Sequence, residues 1–468
     1  MECYYNILQY NGTYCTCGKE HELVTHLMDV IDAVSVLSQL SLQPTEPPLQ
    51  PVPDLLNDII VSEILPKLPA KSLLRFKTVC KSFKTLISSP EFIRLHLRQS
   101  LSSDNSLLVS AATDRTLDIY DLDSLSSAPA TPSATFRWPV YTIYAIGSCN
   151  GLLLITTSGY LGTLLPLVLL NPSTRSYINI DSTATVIHGN LGLGFDCHTN
   201  DYKIVSVSNM YDYMNGDIVH TIVTTVYSVN SKSWKRVDEI LTSESMEEQS
   251  YGVLIDNHLL HWMDWSTYNR KCRISCFNVI SEKWMDDVLL PENLYDPSQE
   301  SYFLDFGVLD GCLFSSYVDQ VNSHFDVWVM KEYGVHESWI KLFSINISDA
   351  LNGGVDPIAT LFLHTRMRKF SAVTSIRERG GVIPIAYRGR GTTEVLLRDR
   401  FKPKNFWWYN WKNNDINKAD VPDFWGHQPC IFKGSLVRLP DAKLFGGEYE
   451  HDTFSKQHTH SNEVHLQT

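Results

Sequence analysis

The residues able to do chemistry are present but not assembled into any recognisable reactive pattern. Cys3, Cys15, Cys17 and His21 offer soft ligands near the start of the chain, yet the one-residue gap between Cys15 and Cys17 is shorter than a zinc knuckle uses. Cys272 and Cys276 are four apart in a strand-like run, where that spacing puts both on one face as buried thiols. His258 and His261 flank two leucines and read as strand residues, and His458-Thr-His460 is a weak metal binder at best. Arg388-Gly-Arg-Gly391 has the glycines of a phosphate loop but no helix signal after it, so a hairpin turn explains it better. There is no Gly-x-Ser-x-Gly elbow and no His-Glu-x-x-His pair, and Asp286-Asp287 looks like a pair of exposed turn charges. No catalytic residue, metal or cofactor is expected.

What the residue types support instead is binding. Leu55, Leu56, Ile59, Ile60, Ile64, Leu65 and Leu68 recur at three- and four-residue spacing, an apolar helical stripe that Asp54 or Asn57 can cap and Pro66 and Pro69 end. Leu73, Leu74, Phe76, Val79, Phe83, Leu86 and Ile87 continue the period, Ser88-Ser89-Pro90 breaks it, and Phe92–Leu97 adds a last turn or two. So many large aliphatics in about 45 residues either leave a face for a partner or pack the segment on its own neighbour, because so short a chain closes only a small core. Eight basic residues (Lys67, Lys71, Arg75, Lys77, Lys81, Lys84, Arg94, Arg98) face four acidic ones (Asp54, Asp58, Glu63, Glu91) between Asp54 and Arg98. That excess of basic residues, inside a chain of net charge −13, suits an acidic protein surface. Two aromatic clusters, Asp264-Trp265-Ser-Thr-Tyr268 and Phe406-Trp-Trp-Tyr-Asn-Trp411, are candidate contacts for a second protein, with Trp265, Tyr268, Trp408 and Trp411 as anchors. The second cluster is better suited to filling interfaces between sheets.

Composition narrows the classes. At 468 residues the chain can hold two or three domains, and 43% hydrophobic with 19% charged residues is ordinary for a globular protein. The negative balance argues against sequence-independent nucleic-acid binding. Val140–Asn171 carries no charge, but Asn150-Gly151, Gly159, Gly162 and Pro166 break it into strands and turns, so no membrane span is expected. Met1–Tyr10 lacks the basic start and apolar run of a signal peptide. The ten scattered cysteines then read as reduced thiols in a cytoplasmic or nuclear protein, and the triplets at Asn11 and Asn346 carry no glycan.

These residues need scaffolds. Residues 1–50 form an extension ending in the linker Pro44-Thr-Glu-Pro-Pro-Leu-Gln-Pro51, residues 51–98 the helical segment, residues 103–440 a sheet domain and residues 441–468 a polar, His-rich tail expected to be disordered. Two half-motifs repeat in the sheet domain. One is a turn followed by apolar residues, at Asn150-Gly151, Asn257 and Asp310-Gly311. The other is an apolar residue with an aromatic seven positions on: Leu170 and Tyr177, Tyr227 and Trp234, Phe277 and Trp284, with a longer version from Val329 to Trp339. The aromatics are 57, 50 and 55 residues apart, the period of a kelch-like propeller blade. Extended back to Leu117–Leu122 and forward to Glu394–Phe401, it predicts about six blades, so the fold class is α + β with an all-β propeller.

The chain resembles the plant F-box proteins with a C-terminal F-box-associated, kelch-like domain. The resemblance rests on Ser62-Glu-Ile-Leu-Pro-Lys-Leu-Pro-Ala-Lys-Ser-Leu-Leu-Arg-Phe-Lys-Thr-Val-Cys-Lys-Ser-Phe83, then on Gly147-Ser-Cys-Asn-Gly-Leu-Leu153, Asn171-Pro172, Gly192-Leu-Gly-Phe-Asp196, Asp201-Tyr-Lys-Ile-Val205, Val327–Val335 and Ser435-Leu436-Val437. It covers residues 54–440 and implies a small three-helix F-box. It further implies a non-catalytic substrate receptor of a Skp-cullin-F-box ubiquitin ligase, with the F-box on a Skp-type adaptor and the propeller on an unknown target. By position, the adaptor face would be Leu55, Ile59, Ile64, Leu65, Leu68, Pro69, Leu73, Leu74, Val79, Cys80 and Phe83. Two positions depart from the family: Leu56-Asn57 stands where a Leu-Pro opening is usual, and Phe83 replaces a common Trp. The alternatives are an adaptor-binding scaffold without ubiquitin transfer and a propeller enzyme.

Overall fold

The computed structural model of the chain describes residues 60–103, 106–111, 116–126, 130–137, 142–158, 167–181, 189–214, 217–242, 251–265, 272–291, 301–319, 324–346, 382–387, 393–399, 406–413, 415–419 and 430–445. The chain divides into two units, Met1–Ser102 and Ser103–Thr468.

In the first unit the apolar periodicity is realised as short pieces. A π-turn at Ile60–Ile64 and a 3-10 turn at Leu65–Lys67 lead into α1 (Ala70–Phe76), α2 (Lys81–Ile87) and α3 (Pro90–Ser102). Pro69, expected to end a helix, opens one: its carbonyl accepts from the N–H groups of Ser72 and Leu73. A proline needs no N–H partner there. The run from Leu73 to Ile87 is two helices rather than one. Thr78 Oγ1 donates to the Arg75 carbonyl at 2.7 Å, a side-chain bond that competes with helix continuation. Pro90 likewise starts α3, with Ser89 Oγ accepting from the Phe92 N–H at 3.2 Å.

The second unit is six antiparallel sheets. The first holds β1 (Leu107–Ala111), β2 (Thr116–Asp121) and β3 (Ala134–Arg137). The second holds β4 (Thr142–Cys149), β5 (Leu152–Ser158), β6 (Leu167–Asn171) and β7 (Ser176–Ile180). The third holds β8 (Asn190–Asp196), β9 (Asp201–Met214), β10 (Asp217–Ser228) and β11 (Ser233–Thr242). The fourth holds β12 (Val253–Ile255), β13 (Leu259–Trp265), β14 (Cys272–Asn278) and β15 (Lys283–Trp284). The fifth holds β16 (Ser301–Leu309), β17 (Cys312–Asp319), β18 (His324–Met330) and β19 (Trp339–Asn346). The sixth holds β20 (Val382–Tyr387), β21 (Glu394–Asp399), β22 (Phe406–Asn410) and β23 (Asp415–Ala419). Two C-terminal strands return to the start. β24 (Cys430–Phe432) pairs with β1 and completes sheet one, and β25 (Lys443–Leu444) adds to the outer edge of sheet two beside β7.

The first strands of successive sheets are neighbours, as the Gly252 N–H to Leu191 carbonyl bond at 2.7 Å illustrates for β12 and β8. This is a six-bladed β-propeller, and its core lies between blades. Val205, Val207 and Val226 of blade three meet Leu260, Trp262 and Phe277 of blade four, while Leu396, Phe406 and Trp408 of blade six meet Leu108 and Tyr120 of blade one.

The repeat has a physical basis. Leu170 pairs with Tyr177, Tyr227 with Trp234 and Phe277 with Trp284 across the outer hairpin of each blade. In blade five the partner of Trp339 is Met330, one residue later than the repeat predicted. Each tryptophan also ties its blade to the preceding one through its indole N–H: Trp234 to the Asp181 carbonyl at 2.7 Å, Trp284 to Thr224 Oγ1 at 3.1 Å, and Trp339 to the Leu289 carbonyl at 3.0 Å. The inner turns have positive φ at successive residues, Asn150-Gly151, Asp256-Asn257 and Asp310-Gly311, and the first and third are two-residue hairpins.

Candidate partner-docking surfaces

The helical unit sorts the predicted adaptor face into two groups. Ile64, Pro69, Leu74, Val79, Cys80 and Phe83 are half-buried and reach solvent. Leu65, Leu68 and Leu73 do not: they are buried in the core of the unit, together with Ile87 and Phe92. This corrects their assignment to the partner face. The spacing that produces a helical stripe cannot tell which side of it closes on α3. Leu55 and Ile59 lie outside the described residues. The sequence reading left out Phe76 and Leu86, which are equally half-buried; Phe76 and Phe83 meet edge to face with ring centroids 6.0 Å apart.

The buried His96 ties α3 to the turn before α1, its Nε2 donating to the Leu68 carbonyl at 3.1 Å. A carbonyl can only accept, so Nε2 carries the proton and Nδ1 is an acceptor. Burial lowers its pKa, which keeps the ring neutral. The charge excess is on the surface of the unit. Glu63 pairs with Lys67 and Glu91 with Arg94, both at 3.3 Å, while Lys71, Arg75, Lys81, Lys84 and Arg98 are exposed as well. Exposed pairs of this kind contribute little stability.

On the propeller, the second aromatic cluster is interior. Trp408 is 2% exposed between blades six and one, and Trp411 stacks on Phe343 of blade five with centroids 5.7 Å apart. Trp408 is therefore corrected from a contact residue to packing: alternate residues of β22 face the two neighbouring blades, and both faces need bulk. Trp265 ends β13, but its side chain and all of Tyr268 lie outside the described residues. So does Arg388-Gly-Arg-Gly391. Cys276 is buried and Asp286 and Asp287 are exposed, as the sequence suggested.

Two polar clusters went unnoticed in the sequence. Lys203 is buried at the junction of blades three and four, with Nζ 3.0 Å from Asp196, 2.9 Å from Glu282 and 3.2 Å from the Val279 carbonyl. Burial pushes Asp196 upward, but hydrogen bonds from Thr199, Lys203 and the His198 N–H outweigh it and hold the carboxyl at about 2. The second cluster centres on His261, fully buried on β13. Its Nδ1 donates to the Val253 carbonyl at 3.1 Å and its Nε2 accepts from the Tyr333 hydroxyl at 2.6 Å. Burial lowers its pKa to about 4 despite the backbone acceptor. Cys276 Sγ lies 3.3 Å from the same hydroxyl. Neither cluster needed a sequence signature, since each joins residues far apart in the chain.

Among the described residues no group of His, Cys, Asp and Glu is placed to hold a metal ion, and no helix is long and apolar enough to cross a membrane. Residues 54–95 match the F-box domain, and residues 109–403 match the F-box associated beta propeller domain. F-box protein CPR1 of Arabidopsis thaliana is 31% identical over 313 residues, which cover 61% of this chain and 72% of that protein. F-box protein At4g22390 of the same plant is 28% identical over 311 residues, 61% of this chain and 73% of that one. F-box/kelch-repeat protein At3g23880 is 26% identical, with 61% and 78% covered. The helical unit and the six-bladed sheet domain thus belong together in one lineage: this chain is a member of the F-box proteins that carry an F-box associated β-propeller domain.

Proposed function

We propose that the chain is the substrate-recognition subunit of a Skp-cullin-F-box ubiquitin ligase, acting in the cytoplasm, the nucleus or both. The observation that carries this reading is the F-box match at residues 54–95 on a unit whose half-exposed apolar residues sit among eight basic side chains. The F-box, read as a three-helix domain, docks an acidic Skp-type adaptor through Ile64, Pro69, Leu74, Phe76, Val79, Cys80 and Phe83, and through the adaptor reaches a cullin scaffold. The propeller, read as kelch-like in its period, holds the target protein. The chain itself contributes position rather than catalysis: it shortens the distance between target and ubiquitin carrier, and so raises the effective concentration of one for the other. A scaffold without ubiquitin transfer would bind the same adaptor. Turnover separates the two: the half-life of a protein captured by the propeller is measured in cells with the wild-type chain and with the Leu74→Asp, Phe83→Asp variant. A longer half-life with the variant supports the ligase reading, and an unchanged one supports the scaffold.

A further inference from the structure

Nine large apolar side chains are exposed among the described residues, and five of them fall in two short segments: Met285 and Leu289 after β15, and Tyr333, Val335 and Ile340 around the β18–β19 turn. The segments adjoin. Trp339 Nε1 donates to the Leu289 carbonyl at 3.0 Å, His336 Nε2 donates to the Leu290 carbonyl at 2.9 Å, and Cys276 meets both Tyr333 and the Met285 N–H. The other four, Leu95, Met210, Ile240 and Leu444, are scattered.

This patch is held in shape from beneath. The Tyr333 hydroxyl is fixed on the buried His261, and Ser338 Oγ accepts from the Glu332 N–H at 3.0 Å and lies 2.7 Å from the Val335 carbonyl. An apolar surface already held in place loses little entropy when it is covered. Its own charges are acidic, with basic residues only at its edges. Residues 285–290 and 332–340 contain Asp286, Asp287, Glu332 and Glu337, all exposed, and no Lys or Arg. Arg273 reaches Asp287 at 3.8 Å from the adjoining strand, Lys283 and Lys331 flank the segments, and Lys341 is engaged by Asp326 at 2.6 Å.

We propose that this rim between blades four and five is the surface on which the target docks, and that it takes an apolar peptide segment flanked by Lys or Arg. The proposal rests on the target-receptor reading above and adds the place and the chemistry. Apolar side chains of the segment cover Met285, Leu289, Tyr333 and Val335, whereas Ile340 lies opposite Val329 on the face of β19 turned to blade six. The cations of the segment meet Asp286, Glu332 and Glu337, which set register and speed encounter.

The test pans a random short-peptide display library against the full-length protein and measures the affinity of enriched peptides by fluorescence anisotropy. Enriched sequences should pair Leu, Ile or Phe with Lys or Arg and bind more weakly as salt rises. Leu289→Asp with Val335→Asp should weaken them at least about tenfold, as loss of central contacts does. Asp286→Lys with Glu332→Lys, which alters charge at exposed sites and leaves packing intact, should weaken them too, and Met210→Asp on blade three should not. No enrichment of apolar sequences carrying Lys or Arg, or affinity of such peptides unchanged in both double variants, would overturn the proposal. Adaptor capture is measured on the same preparations. Failure there with peptide binding intact counts against the ligase reading alone, and failure of the peptides with adaptor bound counts against this surface alone.

Discussion

His261 shows how one buried side chain sets a pH limit. Its ring is neutral, with Nδ1 committed to the Val253 carbonyl and Nε2 to Tyr333. Burial depresses its pKa to about 4, whereas in the unfolded chain it titrates near ~6.5. As pH falls below ~6.5 the unfolded chain takes up a proton that the folded one refuses, so stability is complete above that pH and declines towards about 4. His96, also lowered by burial, acts in the same direction. The melting temperature should therefore fall between pH 7 and 4.5, and fall less steeply in His261→Asn, whose side-chain amide can still donate to Val253. Parallel melting curves for the two proteins would contradict the assignment. Nothing in the sequence marked this residue: His258 and His261 flank two leucines alike, and only the fold buries one and leaves the other in a turn.

At the scale of the element, the terminal aromatic of each blade was legible because the hairpin that carries it has nearly constant length. Arg175, Lys232 and Glu282 hold positive φ at the same place in three such hairpins, before Ser176, Ser233 and Lys283. What could not be read was the destination of the indole N–H, which lies in the preceding blade. Trp284→Phe keeps the packing on Phe277 but leaves buried Thr224 without that donor, and should cost about 1 kcal/mol. Chemical denaturation would detect it; an unaltered midpoint would mean that the tie contributes nothing. The helical unit was harder to read for the opposite reason. Leu65, Leu68 and Leu73 on one side and Leu74, Val79 and Phe83 on the other share one periodicity, and burial alone separates core from surface. Blade six lacks the tryptophan: Ile416 stands opposite Tyr409, and Trp411 supplies the bulk from the turn.

Across the whole propeller, closure depends on the last described residues. β24 completes blade one, Asn171 Nδ2 of blade two donates to the Val437 carbonyl at 2.8 Å, and Gly151 at φ 79 leaves room for Ser435, which a Cβ would meet at 2.5 Å. Removing the chain from Cys430 onward should abolish the cooperative melting transition and expose blade one to proteolysis, because an unclosed ring leaves the β1 edge and two inter-blade faces in water. A truncated chain that melts like the full one would show that the ring closes by other means. The period pointed to about six blades without fixing their number, and the strand that seals them was not legible at all, since its partner lies more than three hundred residues away.

The claim on which the functional account turns is that the F-box holds a Skp-type adaptor. Isothermal calorimetry of the full-length protein against a plant Skp-type adaptor tests it directly, beside the variant Leu74→Asp, Phe83→Asp, which alters half-exposed positions and spares the buried Leu65, Leu68 and Leu73. The account predicts binding by the wild-type protein and at least about tenfold weaker binding by a variant that melts as wild type does. No binding by the wild-type protein, or equal binding by the variant, would contradict it.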